Sequence, residues 1–126
     1  MQAKSDALER LASGLGRRKN FRVRTSIEAG YLLANDDVEG LALVSNLGIS
    51  GARADFPVEV PVSADLTLRL PAQDEESVQR PLEVPCVVAW TIATTGDEPV
   101  PTGLKFSAMT DAVRDRLSIY LARLMA

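Results

Sequence analysis

From Phe21 to Leu33 the chain alternates: Phe21, Val23, Ile27, Ala29, Tyr31 and Leu33 are apolar on one parity, Arg22, Arg24, Ser26 and Glu28 polar on the other. A two-residue period sends successive side chains to opposite faces, so it is satisfied by a strand with one face in a core and the other in water. The period returns through Leu41 and Leu43, through Ala52, Ala54 and Phe56, and through Leu66, Leu68 and Leu70. It returns again in Leu82, Val84, Cys86, Val88, Trp90 and Ile92, and in Leu104 and Phe106. Asn35-Asp36-Asp37, the Gly48–Gly51 stretch, Pro57 with Pro61, AQDEES at 72–77 and TTGDEPVP at 94–101 supply turns and loops between them. The pattern predicts six strands, near 21–34, 39–46, 52–56, 66–70, 82–92 and 103–107. Pro81 and Pro85 lack amide donors and fall on the parity opposite Leu82, which predicts that the fifth strand lies at a sheet edge.

At the carboxyl end the period changes. Thr110 is placed to cap a helix with Asp111 and Asp115 in its first turns and Val113, Leu117, Leu121 and Leu124 along one stripe. Arg114, Arg116 and Arg123 fall on its other faces. Short strands joined by turns and followed by one helix predict a mainly β fold, a small six-stranded antiparallel β-barrel with a C-terminal α-helix. Residues 1–16 read as a flexible or short helical N-terminal segment, with AKSDALERLA at 3–12 as the helical possibility, and 17–126 as one domain.

Charge singles out one stretch. The chain has 14 Lys+Arg and 17 Asp+Glu, and five of the 14 (Arg17, Arg18, Lys19, Arg22 and Arg24) fall within residues 17–24, leaving nine basic against 17 acidic elsewhere. Such a run is either a solvated face or an oxyanion site, and the strand that follows sets Arg22 and Arg24 on one face. Arginine binds planar oxyanions bidentately and keeps its charge, so the array suits a phosphate-bearing ligand.

Composition removes several classes of function. With no histidine there is no imidazole base or ligand, and His-dependent triads and zinc sites are excluded. No Walker-type phosphate loop is present, and nothing recommends catalysis or a resident metal or cofactor. A pI near 4.9 argues against affinity for nucleic acid polymers. No apolar run reaches the ~20 residues needed to cross a bilayer, and no signal-peptide core is apparent, so no membrane insertion and a cytoplasmic location are expected. The single cysteine, Cys86, lies on the apolar parity and is expected as a buried thiol.

Two motifs then stand at a telling separation: Arg18-Lys19-Asn20-Phe21-Arg22, preceded by Arg17, and Asn46-Leu47-Gly48-Ile49-Ser50-Gly51. With the closing VVAW, GLKF and helix, these resemble the PilZ domain family over about residues 17–124. That family's first motif is Arg-x-x-x-Arg just before the first strand, and its second is Asp/Asn-x-Ser-x-x-Gly at the end of the second strand. The second motif fits at Asn46 and Gly51 and departs at Gly48. Ser45-Asn46-Leu47-Gly48 also has a Ser-x-x-Gly spacing, but it would put Leu43 at the acid or amide position.

The resemblance implies a six-stranded PilZ-like barrel and a non-enzymatic receptor for the bacterial second messenger cyclic di-GMP. Carried over residue by residue, Arg18 and Arg22 would clamp the ligand and Arg17 assist. Asn46 would bond the base, Gly51 would admit close approach, and Ser50 would offset the hydroxyl that Gly48 lacks. One neutral hydrogen bond is worth about 0.5–1.5 kcal/mol, so its loss is a reduction of affinity and not an abolition. Output would run through a protein effector in motility, pilus or exopolysaccharide machinery. The alternative is a PilZ-fold interaction adaptor that no longer binds nucleotide, in which Asn46 and the glycines only shape a turn.

Overall fold

The alternating segments resolve into strands whose inward parity is the apolar one. The computed structural model describes residues 22–34, 38–73 and 81–125. In order these form β1 (Arg22–Leu33), β2 (Val38–Gly48), β3 (Gly51–Phe56), β4 (Asp65–Leu70), β5 (Leu82–Thr91), β6 (Val100–Phe106) and α1 (Asp111–Met125). The strands close into an antiparallel barrel in the order β1-β2-β3-β6-β5-β4, with β4 returning to β1. Arg17, Arg18 and the 3–12 segment lie outside the described residues.

Along β1, Ala29, Tyr31 and Leu33 are buried, Val23 and Ile27 half-buried, and Arg22, Arg24, Ser26 and Glu28 exposed, as the alternation predicts. Inside, Leu47, Phe56, Leu68, Leu70, Val84 and Val88 are almost fully buried, and Tyr31 and Phe56 meet at 4.7 Å between ring centroids. Each such side chain contributes about 1.5–3 kcal/mol by leaving water. Helix α1 adds Leu117, Tyr120 and Leu121 to this core and packs against β1 and β5. Thr110 caps it as expected, its Oγ1 accepting from the Val113 N–H at 3.2 Å. The Tyr120 hydroxyl donates to the Pro71 carbonyl at 2.9 Å and ties the helix to the segment after β4.

Closure corrects the edge-strand expectation, because β5 pairs with both β4 and β6. Its proline is accommodated by where the ladder stops. The Ser107 N–H donates to the Pro85 carbonyl at 2.9 Å, and the Ile92 N–H donates to the Pro101 carbonyl at 3.0 Å. A strand residue's N–H and C=O point to the same side, so each missing donor faces a terminal pair of the β5–β6 ladder. β6 begins at Val100, earlier than the loop-like TTGDEPVP suggests, because Val100 and Pro101 pair with Phe56 and Asp55 of β3.

Two apolar assignments also reverse. Leu41 and Leu43 face outward, 58% and 44% exposed, and Ala42 and Val44 face the core. The pairing of Ala29 with Ala42 and Ile27 with Val44 decides this, since inward residues of one strand must oppose inward residues of the next. Trp90 and Ile92, expected inward with Val88, are outside. A bulge between Val88 and Trp90 inserts Ala89 as an extra residue and turns the strand over.

Candidate functional site

Three of the barrel's irregularities fall beside one another: the β5 bulge at Ala89, a β2 bulge between Val44 and Asn46, and a β1 bulge between Arg24 and Ile27. Bulges re-aim side chains, and here they flank one continuous row across five strands. Arg24 opposes Asn46, Asn46 opposes Arg53, Arg53 opposes Gly103, and Gly103 opposes Trp90. A groove of about 450 Å³ runs along it, lined by Asn46, Arg53, Trp90 and Gly103 together with Arg22, Ser50 and Lys105.

Gly103 makes the row work as a platform. A Cβ at this position would collide with Cε2 and Nε1 of Trp90 and lie 2.7 Å from its Cδ1, so the indole lies over the bare backbone of β6. Across the same glycine the Arg53 guanidinium carbon sits 5.9 Å from the Trp90 ring centroid, at cation–π range. The result is a partly exposed aromatic face with a charged fork beside it.

Asn46 supplies the polar contact. Its Oδ1 is buried and has no hydrogen-bond partner among the described residues. A buried acceptor without a donor costs free energy, about 1–3 kcal/mol, which an incoming N–H would recover. Ser45, the extra residue of the β2 bulge, instead spends its hydroxyl on the Arg53 carbonyl at 3.3 Å.

The second row of the groove carries its charge. Arg22 opposes Gly48, and Gly51 opposes Lys105. Arg22 folds over Gly51, its Nη2 3.6 Å from where a Cβ would stand. What fills the remaining space at Gly51 is the Leu104 carbonyl oxygen, so this glycine is required by strand packing as well as by the groove. Arg22, Arg53 and Lys105 line the groove with no aspartate or glutamate among its lining residues. Among the described residues none of the three has a carboxylate at ion-pairing distance; the Arg69–Glu83 ion pair, at 3.4 Å, is elsewhere on the wall. Three cations unpaired among the described residues, in a chain of net charge −3, make this groove a candidate seat for an anion.

Of the residues singled out from sequence, Arg22, Asn46 and Ser50 line the groove, Gly48 faces Arg22, and Gly51 forms the floor between Arg22 and Lys105. Arg53, Trp90, Gly103 and Lys105 were not anticipated. Arg53 and Lys105 stand on the polar parity of the strands that follow Gly51 and precede the helix, and that parity was the available signal. No helix among the described residues is long and apolar enough to cross a membrane, and no group of three or more potential metal ligands is found among them. The groove can stack a planar ring, hold anions and offer an acceptor to an N–H.

The PilZ domain family model matches residues 16–123 of the chain. No curated protein sequence matches it. Among solved structures, the Bacillus subtilis inhibitor of motility MotI is similar with a TM-score of 0.65 at 19% identity, over 86% of this chain and 51% of that one. The PilZ domain of YcgR from Escherichia coli, solved with c-di-GMP, has a TM-score of 0.63 at 12% identity, over 86% of this chain and 92% of that one. The K. pneumonia MrkH–c-di-GMP complex gives 0.65 at 15%, over 86% and 52%. The chain thus spans about half the length of MotI and MrkH, and at these identities the likeness is one of fold.

Proposed function

The chain belongs to the PilZ domain family, and from that premise we propose that it is a non-enzymatic receptor for cyclic di-GMP which relays nucleotide binding to a partner protein. The observation that carries this reading is the row across β2, β3, β6 and β5, with a buried Asn46 acceptor at one end, a Trp90 face at the other and three cations alongside, acceptor and cations alike unpaired among the described residues. Guanine offers N–H donors to an acceptor such as Asn46 Oδ1, and its O6 and N7 accept from arginine or lysine. The base would stack against Trp90 and Arg53, worth about 1–3 kcal/mol. Its phosphates would meet Arg22, and Arg18 with Arg17 would complete the clamp. The four-residue step from Arg18 to Arg22 spans at most about 14 Å, which keeps Arg18 within reach of the groove. A few charge-assisted bonds of about 1.5–3 kcal/mol each, added to stacking, suffice for a micromolar complex near −8 kcal/mol once ordering costs are deducted.

In this reading the 14–20 segment is fixed against the barrel by the ligand, and that ordering changes the surface offered to the effector. Motility, pilus or exopolysaccharide machinery is the proposed output, in the cytoplasm. The groove's cations sit in a chain of net charge −3, a balance that supports a small anionic ligand over a nucleic acid polymer. A second reading, an adaptor without nucleotide binding, is favoured by Gly48, which leaves Arg22 facing a residue with no hydroxyl.

Calorimetric titration with cyclic di-GMP separates the two. The receptor reading expects micromolar or tighter binding, lost in Arg18→Ala/Arg22→Ala. No heat up to about a hundred micromolar ligand from folded protein would overturn the receptor reading and turn the search to a protein partner.

A further inference from the structure

Lys105 is exposed on β6, and its cross-strand neighbours on both sides, Gly51 and Val87, carry no charge. The next outward position along β6 is Gly103, about 7 Å away at two strand residues and occupied by the Trp90 ring. On the other flank, Gly51 has no side chain to separate Lys105 from Arg22, whose guanidinium already reaches over that glycine. Two cations therefore line one groove on either side of a glycine, with no carboxylate at ion-pairing distance from either among the described residues. Their mutual repulsion is relieved by an anion placed between them.

We propose that Lys105 is a ligand-binding residue that pairs with Arg22 across Gly51 to seat one phosphodiester of the dinucleotide; the assignment rests on the receptor reading above. The two rows of the groove then divide the work. The Asn46–Arg53–Gly103–Trp90 row holds a base, and the Arg22–Gly51–Lys105 row holds a phosphate. The lysine contact is charge-assisted and so stronger than the neutral hydrogen bond that a hydroxyl at position 48 would provide. It offsets the family departure at Gly48 from the opposite wall of the same notch. A flexible four-carbon stem lets the ammonium reach the anion as a point charge without demanding bidentate geometry.

The test is calorimetric titration of the full chain with cyclic di-GMP at two salt concentrations, for wild type, Lys105→Gln, Lys105→Arg and, as a charge control outside the groove, Arg69→Gln. Lys105→Gln is expected to weaken binding about 10- to 100-fold and to lessen its salt dependence, while Lys105→Arg stays within about threefold of wild type. Arg69→Gln is expected to leave affinity unchanged. Wild-type affinity in Lys105→Gln to within about twofold overturns the assignment while leaving the receptor reading standing. An equal loss in Arg69→Gln also overturns it, by showing a general charge effect. Absence of binding by folded wild type overturns the receptor reading and this assignment together.

Discussion

Gly103→Ala is a perturbation with a calculable local consequence. The added methyl would clash with the Trp90 indole, whose Cδ1 is 2.7 Å from the new Cβ position. Carbon atoms settle at about 3.5–4.0 Å, and Cε2 stands closer than Cδ1, so the ring must lift by roughly 1.5 Å. Trp90 is 41% exposed, and the ring can swing outward without disturbing the core. The Arg53 guanidinium, at 5.9 Å, is already at the limit of cation–π range and would lose the ring. That loss at an exposed site is about 0.5–1 kcal/mol. It corresponds to a fall in Tm of roughly 2–5 °C for a chain of this size. Binding should suffer more, because the stacking face is displaced: about 1–3 kcal/mol, or roughly 5- to 150-fold in Kd. Trp90 is the sole tryptophan, so its fluorescence reports the site directly. Quenching by cyclic di-GMP is expected in the wild type, with a red-shifted apo emission and weaker quenching in Gly103→Ala. Unchanged emission together with unchanged Kd would refute the platform, and a Tm loss above about 15 °C would show that the glycine serves the barrel instead.

Asn46→Ala removes a buried acceptor that has no partner among the described residues, so stability should hold or rise slightly while cyclic di-GMP affinity falls about tenfold, measured by denaturation and calorimetry side by side. Gly51→Ala behaves differently from Gly103→Ala, because the obstructing group is the Leu104 carbonyl and the backbone of β3 or β6 must move; a cost of about 1–3 kcal/mol should appear in urea unfolding even without ligand. Burial pushes the Cys86 thiol from 9.0 up to about 12. The folded state therefore holds its proton where the unfolded state releases it, and stability, complete below pH 9, should decline progressively as pH rises from 9.0 toward about 12. Denaturation midpoints at pH 8, 9 and 10 check the sign, and a Cys86→Ala variant should lose part of that decline.

Much of the barrel was legible because the two parities of β1, β4 and the first part of β5 differ sharply in polarity. Where they do not, periodicity had nothing to read. Leu41 and Leu43 compete with Ala42 and Val44 for the core, and only the register against β1 settles the contest. Trp90 shares its parity with Val88, and both are apolar, so an inserted Ala89 is invisible until the β6 partner is known. The prolines told which residues lack a donor but not where the neighbouring ladder ends, and closure depends on the second fact. In the groove, Arg22 and Asn46 were found because motif spacing marked them. Arg53, between Ala52 and Ala54, reads as an ordinary solvated position; its place opposite both Asn46 and Gly103 is set by pairings distant in sequence.

Bound as proposed, cyclic di-GMP lies along the row from Asn46 to Trp90. Amide and indole chemical-shift mapping of ¹⁵N-labelled protein during titration addresses it most directly. The largest shifts are expected at Arg22, Asn46, Arg53, Gly103 and Lys105 and at the Trp90 indole N–H, moving together along one binding curve. Shifts gathered instead around Gly30, Leu41 and Arg69, which line a separate groove of about 320 Å³ on the barrel wall, would contradict it.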